Sequence, residues 1–95
     1  MAHYVTILGK TWRLIHPAKL KDDDRGGCEP PDRRDPKIRV KRCLRGEERL
    51  EIYLHEMLHA AGWHIDEGFV TDFAADVARE LWELGYRHTQ EETNG

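Results

Sequence analysis

At 95 residues, with 39% hydrophobic and 35% charged content, the chain suits one compact domain spanning 1–95 with a modest core. A formal net charge of -3 without a long basic stripe argues against a general nucleic-acid binder. No apolar run reaches membrane-spanning length and no apolar signal segment follows the first methionine, so the expected setting is cytoplasmic, with no membrane partner.

Residues 2–16 read as a β-hairpin. Tyr4-Val5-Thr6-Ile7-Leu8 and Thr11-Trp12-Arg13-Leu14-Ile15 are rich in strand formers, and Gly9-Lys10 between them suits a type II′ turn. Trp12 and Leu14 point one way and Thr11 and Arg13 the other, so the hairpin covers a core on one face. Pro17 ends the second strand. Residues 18–36 carry Asp22-Asp23-Asp24, Gly26-Gly27 and Pro30-Pro31, the composition of a long loop. The three aspartates lack the ligand spacing of a calcium loop and read as a solvated turn. Cys28 and Cys43 form no CxxC pair and are expected as reduced thiols, although the loop between them leaves a disulfide open. Lys37-Ile38-Arg39-Val40-Lys41 alternates strictly, with Ile38 and Val40 inward, and its basic outer face suggests an edge strand. Lys and Arg gather between Arg33 and Arg49, but Asp35, Glu47 and Glu48 interrupt them, which favours a solvated face over a nucleic-acid groove.

From Gly46 to Ala61 the period becomes helical. Leu50, Leu54, Met57 and Ala61 form the expected core stripe, Glu47 and Glu48 complement the helix dipole, and Gly62 closes the helix. A second helix is expected from Asp66 to Leu84, with Asp66 as N-cap and Gly85 beyond the last turn. Its expected inward residues are Phe69, Val70, Phe73, Ala74, Val77, Leu81 and Leu84, and residues 89–95 form a polar tail. The fold class that follows is α+β, a three-stranded sheet packed against two C-terminal helices.

The first helix carries His55-Glu56-Met57-Leu58-His59, the HExxH pattern of zinc peptidases. Residues four apart lie one turn above each other, so both imidazoles reach one ion while Glu56 holds a water beside it. A solvated polar face is the plainer reading. It is weakened by Ile52, Leu54 and Leu58 around the motif, because imidazoles buried among them need partners. A catalytic zinc takes three protein ligands and keeps one position open. Because the chain reverses after Gly62, the third ligand is expected at the start of the next helix. Glu67 is preferred, with Asp66 and His64 as competitors. The metzincin third-ligand position holds Ile65, which cannot bind metal. Glu56 is then the general base of peptide hydrolysis, with a peptide or protein as substrate lying along the Lys37–Lys41 strand. His64, Tyr53 and Arg25 are candidates for stabilising the oxyanion. The alternative is a non-catalytic, zinc-stabilised module that binds a peptide or protein.

Leu54-His55-Glu56-Met57-Leu58-His59-Ala60-Ala61, preceded by a short strand and a Gly-containing loop, resembles the zincin metallopeptidases. Within them it is most similar to small bacterial and phage-encoded peptidases of the minimal gluzincin or SprT-like kind. The similarity extends over residues 37–87, including Asp66-Glu67 and Leu84-Gly85-Tyr86-Arg87. It implies a small sheet, an active-site helix carrying HExxH, and a following helix that donates an acidic ligand. Two departures stand out: a very short link between the helices, and no DNA-binding or zinc-ribbon extension, so no DNA-repair role is carried over.

Overall fold

The computed structural model of the chain describes residues 2–88, so the expected tail at 89–95 lies outside the described residues. The elements are β1 (His3–Ile7), β2 (Lys10–Ile15), a short 3-10 turn (Lys21–Asp23), β3 (Gly26–Cys28), β4 (Lys37–Val40), α1 (Gly46–Ala61) and α2 (Glu67–Glu83). The strands form one mixed sheet in the order β1-β2-β4-β3. β1 and β2 are antiparallel, β2 and β4 parallel, and β3 and β4 antiparallel.

The sheet therefore has four strands rather than three, and the extra one lies in the segment read as a loop. Gly26-Gly27-Cys28 has neither alternation nor strand-forming side chains, so its pairing with Ile38–Val40 comes from tertiary context. This pairing also removes β4 from the edge. With β2 on one side and β3 on the other, β4 is an inner strand, and the edges are β1 and β3. Its basic outer face is neutralised within the sheet, where Arg39 meets Glu29 at 2.8 Å. Charge alternation thus reports which face of β4 is wet, not whether its backbone is paired. The hairpin turn sits at Leu8-Gly9, one residue earlier than expected. Both residues have positive φ (49° and 83°), which makes it type I′, the turn that matches strand twist.

α1 lies across the sheet and α2 packs on α1. Trp12, Leu14, Ile38 and Val40 from the sheet, Leu44 from the connection, and Ile52 and Ala60 from α1 make the core. The buried residues of α1 are Ile52, Glu56 and Ala60, not the Leu50-Leu54-Met57-Ala61 stripe, whose members are half-buried. A helix packed on two sides has no single apolar stripe, and its most enclosed line faces the sheet. In α2 the buried line is Val70, Ala74 and Ala78. Phe69 and Phe73, inward by periodicity, are instead 53% and 47% exposed, with their rings stacked 5.6 Å apart. Leu84 is exposed as well. The small residues turn toward α1 because they let the helix axes approach closely.

Candidate metal centre

α1 presents His55 and His59 one turn apart on the same face, with their Nε2 atoms 3.2 Å from each other. Both imidazoles are largely enclosed, at 17% exposure. The turn after α1 brings α2 back beside them. Gly62 N–H donates to the Leu58 carbonyl and Ile65 N–H to the Gly62 carbonyl, both at 3.0 Å. A Cβ on Gly62 would lie 2.4 Å from Ile65 Cδ1, so glycine is what lets Ile65 fold back onto the helix end. Asp66 then caps α2, its Oδ2 accepting the Phe69 N–H at 3.0 Å.

This leaves Glu67, the first residue of α2, to cross toward α1. Its Oε1 lies 2.9 Å from His55 Nε2 and its Oε2 lies 2.9 Å from His59 Nε2. The Thr71 hydroxyl donates to Glu67 Oε1 at 3.4 Å. Among the described residues, His55, His59 and Glu67 are the one group of three that could hold a metal ion, with all ligand atoms within 4.8 Å. Ligand atoms about 2.0–2.1 Å from a tetrahedral zinc ion lie roughly 3.3 Å apart. Each imidazole nitrogen stands near that spacing from the other and from one oxygen of Glu67, and two imidazoles with one carboxylate suit a divalent transition-metal ion. The other two acid or imidazole candidates are placed differently. Asp66 is engaged as the cap, and His64 is exposed and does not line the cleft.

The donors sit in an open cleft of about 530 Å³ lined by Asp24, Gly26, Gly27, Cys28, His55, Glu56, His59, Trp63 and Glu67. The chain matches no family model, no curated protein and no solved structure.

Glu56 is buried, at 6% exposure, yet borders the cleft. Burial, and then the charges of Glu67 and Asp24, push its carboxyl up to about 7. Its place depends on β3. A Cβ on Gly26 would fall 2.9 Å from Glu56 Oε2, 2.6 Å from Ile52 Cγ2 and 3.0 Å from the Arg39 carbonyl. The glycine thus lets the sheet edge pass directly over the helix that carries Glu56. Cys28 and Cys43 are free thiols. Cys28 forms part of the cleft wall, and burial, reinforced by Glu56 and Glu29, pushes its thiol up to about 12. It stays protonated at neutral pH and is a poor nucleophile.

The suggested oxyanion helpers are elsewhere. Tyr53 bonds His16 at 2.5 Å in a separate groove, and Arg25 pairs with Glu48 at 2.9 Å. Asp24, the Gly26-Gly27 wall and Trp63 also line the cleft, and no sequence motif marks them. Trp63 follows Gly62, the C-cap of the HExxH helix, which is a local hint of a cleft rim. Nothing local marks Asp24.

Proposed function

We propose that the chain is a zinc-dependent peptidase of the HExxH type, in keeping with the zincin likeness of residues 54–61. The observation that carries this reading is the meeting of His55, His59 and Glu67 at 2.9–3.2 Å in an open cleft beside buried Glu56. His55, His59 and Glu67 would hold the ion. Zinc bound there supplies a Lewis acid and a water acidic enough to lose its proton near neutrality.

The chain's own groups do the rest. Glu56 accepts the proton of the attacking water and hands it to the amine that leaves. Burial, which raises the affinity of this carboxyl for protons, favours the first transfer. The outer edge of β3 borders the cleft and has unpaired backbone groups, so an extended peptide would align there rather than along inner strand β4. Gly26 and Gly27 keep that wall low enough for a main chain to approach.

Metal analysis of the purified chain should find about one zinc per molecule. The Glu56→Gln variant should keep the zinc and lose roughly 10²–10⁴-fold in peptide cleavage. A chain that takes up no zinc would sink the reading, and a Glu56→Gln protein that still cleaves would remove Glu56 as the base.

A further inference from the structure

Asp24 is the one carboxylate of the cleft that the proposed reaction does not use. Both of its neighbours are tied down. Lys41 Nζ donates to Asp23 Oδ1 at 2.7 Å, Arg25 pairs with Glu48 on α1 at 2.9 Å, and the Lys41 N–H donates to the Arg25 carbonyl at 2.8 Å. The Asp24 N–H itself donates to the Lys21 carbonyl at 3.1 Å. The backbone is thus anchored before, at and after this residue, while its side chain lines the cleft. That carboxylate makes no hydrogen bond or ion pair within the described residues.

The charge balance gives this acid a meaning. With the Glu67 and Glu56 carboxyls already beside a divalent ion at His55 and His59, Asp24 adds a further negative charge to the cleft. No Lys or Arg lines the cleft to neutralise it. Trp63, from the turn between the helices, adds a part-exposed ring to the same cleft, a surface that attracts cations.

We infer that Asp24 selects peptides carrying a cationic group next to the bond to be cut, either a Lys or Arg side chain or a free amino terminus. This rests on the peptidase reading above. It adds a substrate class to that reading and makes Asp24 the residue that sets it.

The test uses capped pentapeptides with a central arginine or its neutral isostere citrulline, and an uncapped, all-alanine pentapeptide. Binding to zinc-loaded Glu56→Gln protein is measured by calorimetry at low ionic strength, beside cleavage by the unaltered protein. One of the cationic peptides should bind roughly three- to tenfold more tightly than the citrulline peptide, the range of a partly screened charge pair. Whether the capped arginine or the free-amine peptide shows the gain identifies the source of the charge. Adding Asp24→Asn should bring that ratio close to one, and Asp24→Lys should turn the preference toward a glutamate peptide. Equal binding of charged and neutral peptides, or a ratio that survives both substitutions, overturns the inference. In that case zinc content and cleavage leave the peptidase reading standing. If no zinc is bound and no peptide is cut, the peptidase reading fails and this inference fails with it.

Discussion

The two ends of the α1–α2 hairpin use charged and aromatic residues to different effect. At one end Arg87 donates to the Trp82 and Tyr86 carbonyls at 2.6 and 2.9 Å, and its guanidinium lies 3.5 Å over the Trp82 ring. Gly85, at φ +100°, donates to the Trp82 carbonyl, and Tyr86 N–H reaches Leu81, the pattern that closes a helix. A groove of about 190 Å³ lies there between Trp82, Tyr86 and the first turns of α1. The bonds of Arg87 add a second donor at the Trp82 carbonyl and one at the Tyr86 carbonyl, so they serve the helix end. At the other end Asp66 does the capping, and Glu67, one residue later, is free to face His55 and His59. A carboxylate in the first turn of a helix needs no partner, since the dipole already favours it there. That it meets two imidazoles instead is what separates a site from a helix end.

Replacing one residue at each end breaks this contrast most directly. Glu67→Ala should weaken zinc binding by more than the roughly 10–100-fold that loss of an outer partner costs, and abolish cleavage with it. Arg87→Ala should leave zinc binding as it is and lower stability by about 1 kcal/mol through the lost helix-end and ring contacts. Zinc titration and thermal melts of the two variants check both. Equal zinc affinity in Glu67→Ala and the parent would mean that Glu67 is a helix-end acid like any other.

Which parts of this were legible in the sequence follows from the range of the interactions. α1 spans Gly46–Ala61 as its periodicity indicates, and Asp66 caps α2 as its residue type indicates, because both depend on neighbours within a turn. That an acid from the start of α2 faces the imidazoles is nearly local as well, since only Gly62–Asp66 separate the helices. β3 was not legible. Its residues favour no strand, and it exists because β4 presents a free ladder and because Gly26 fits over Glu56. The cleft wall, and Asp24 with it, went unread for the same reason. Phe69 and Phe73 mislead in the opposite sense, since size argues for burial while the small Ala74 and Ala78 decide which face meets α1.

Gly26→Ala sharpens the role of that wall. The added methyl meets a side-chain methyl, a carboxylate and a backbone carbonyl at 2.6–3.0 Å, and the carbonyl cannot swing aside. Overpacking of this kind costs about 1–3 kcal/mol. Cleavage should fall by more than zinc affinity does, because Glu56 is displaced while His55, His59 and Glu67 lie apart from the clash. Equal losses in the two would mean that β3 supports the whole site rather than Glu56 in particular.

The smallest expected effect concerns how β3 is held from behind. Glu29 follows β3 directly and joins it to β4. Its Oε1 accepts the Lys37 N–H at 3.1 Å, its Oε2 meets Arg39 at 2.8 Å, and its backbone N–H donates to the Lys37 carbonyl at 3.0 Å. Burial alone would raise the Glu29 carboxyl, but the bonds from Arg39 and Lys37, with the charges of Arg39 and Arg33, outweigh it and hold the group below its ordinary 4.5. A group held lower in the folded chain than in the unfolded chain contributes stability above the unfolded value, and that contribution is lost as pH falls through the folded one. Denaturant melts should therefore show the parent losing stability below pH 4.5 more steeply than Glu29→Gln. At neutral pH the variant should be less stable by about 1–2 kcal/mol, and the gap should close on acidification. A gap that stays constant across that range would assign the effect of Glu29 to packing rather than to its charge. The cleft wall would then rest on its backbone ladder and on packing, not on the ion pair with Arg39.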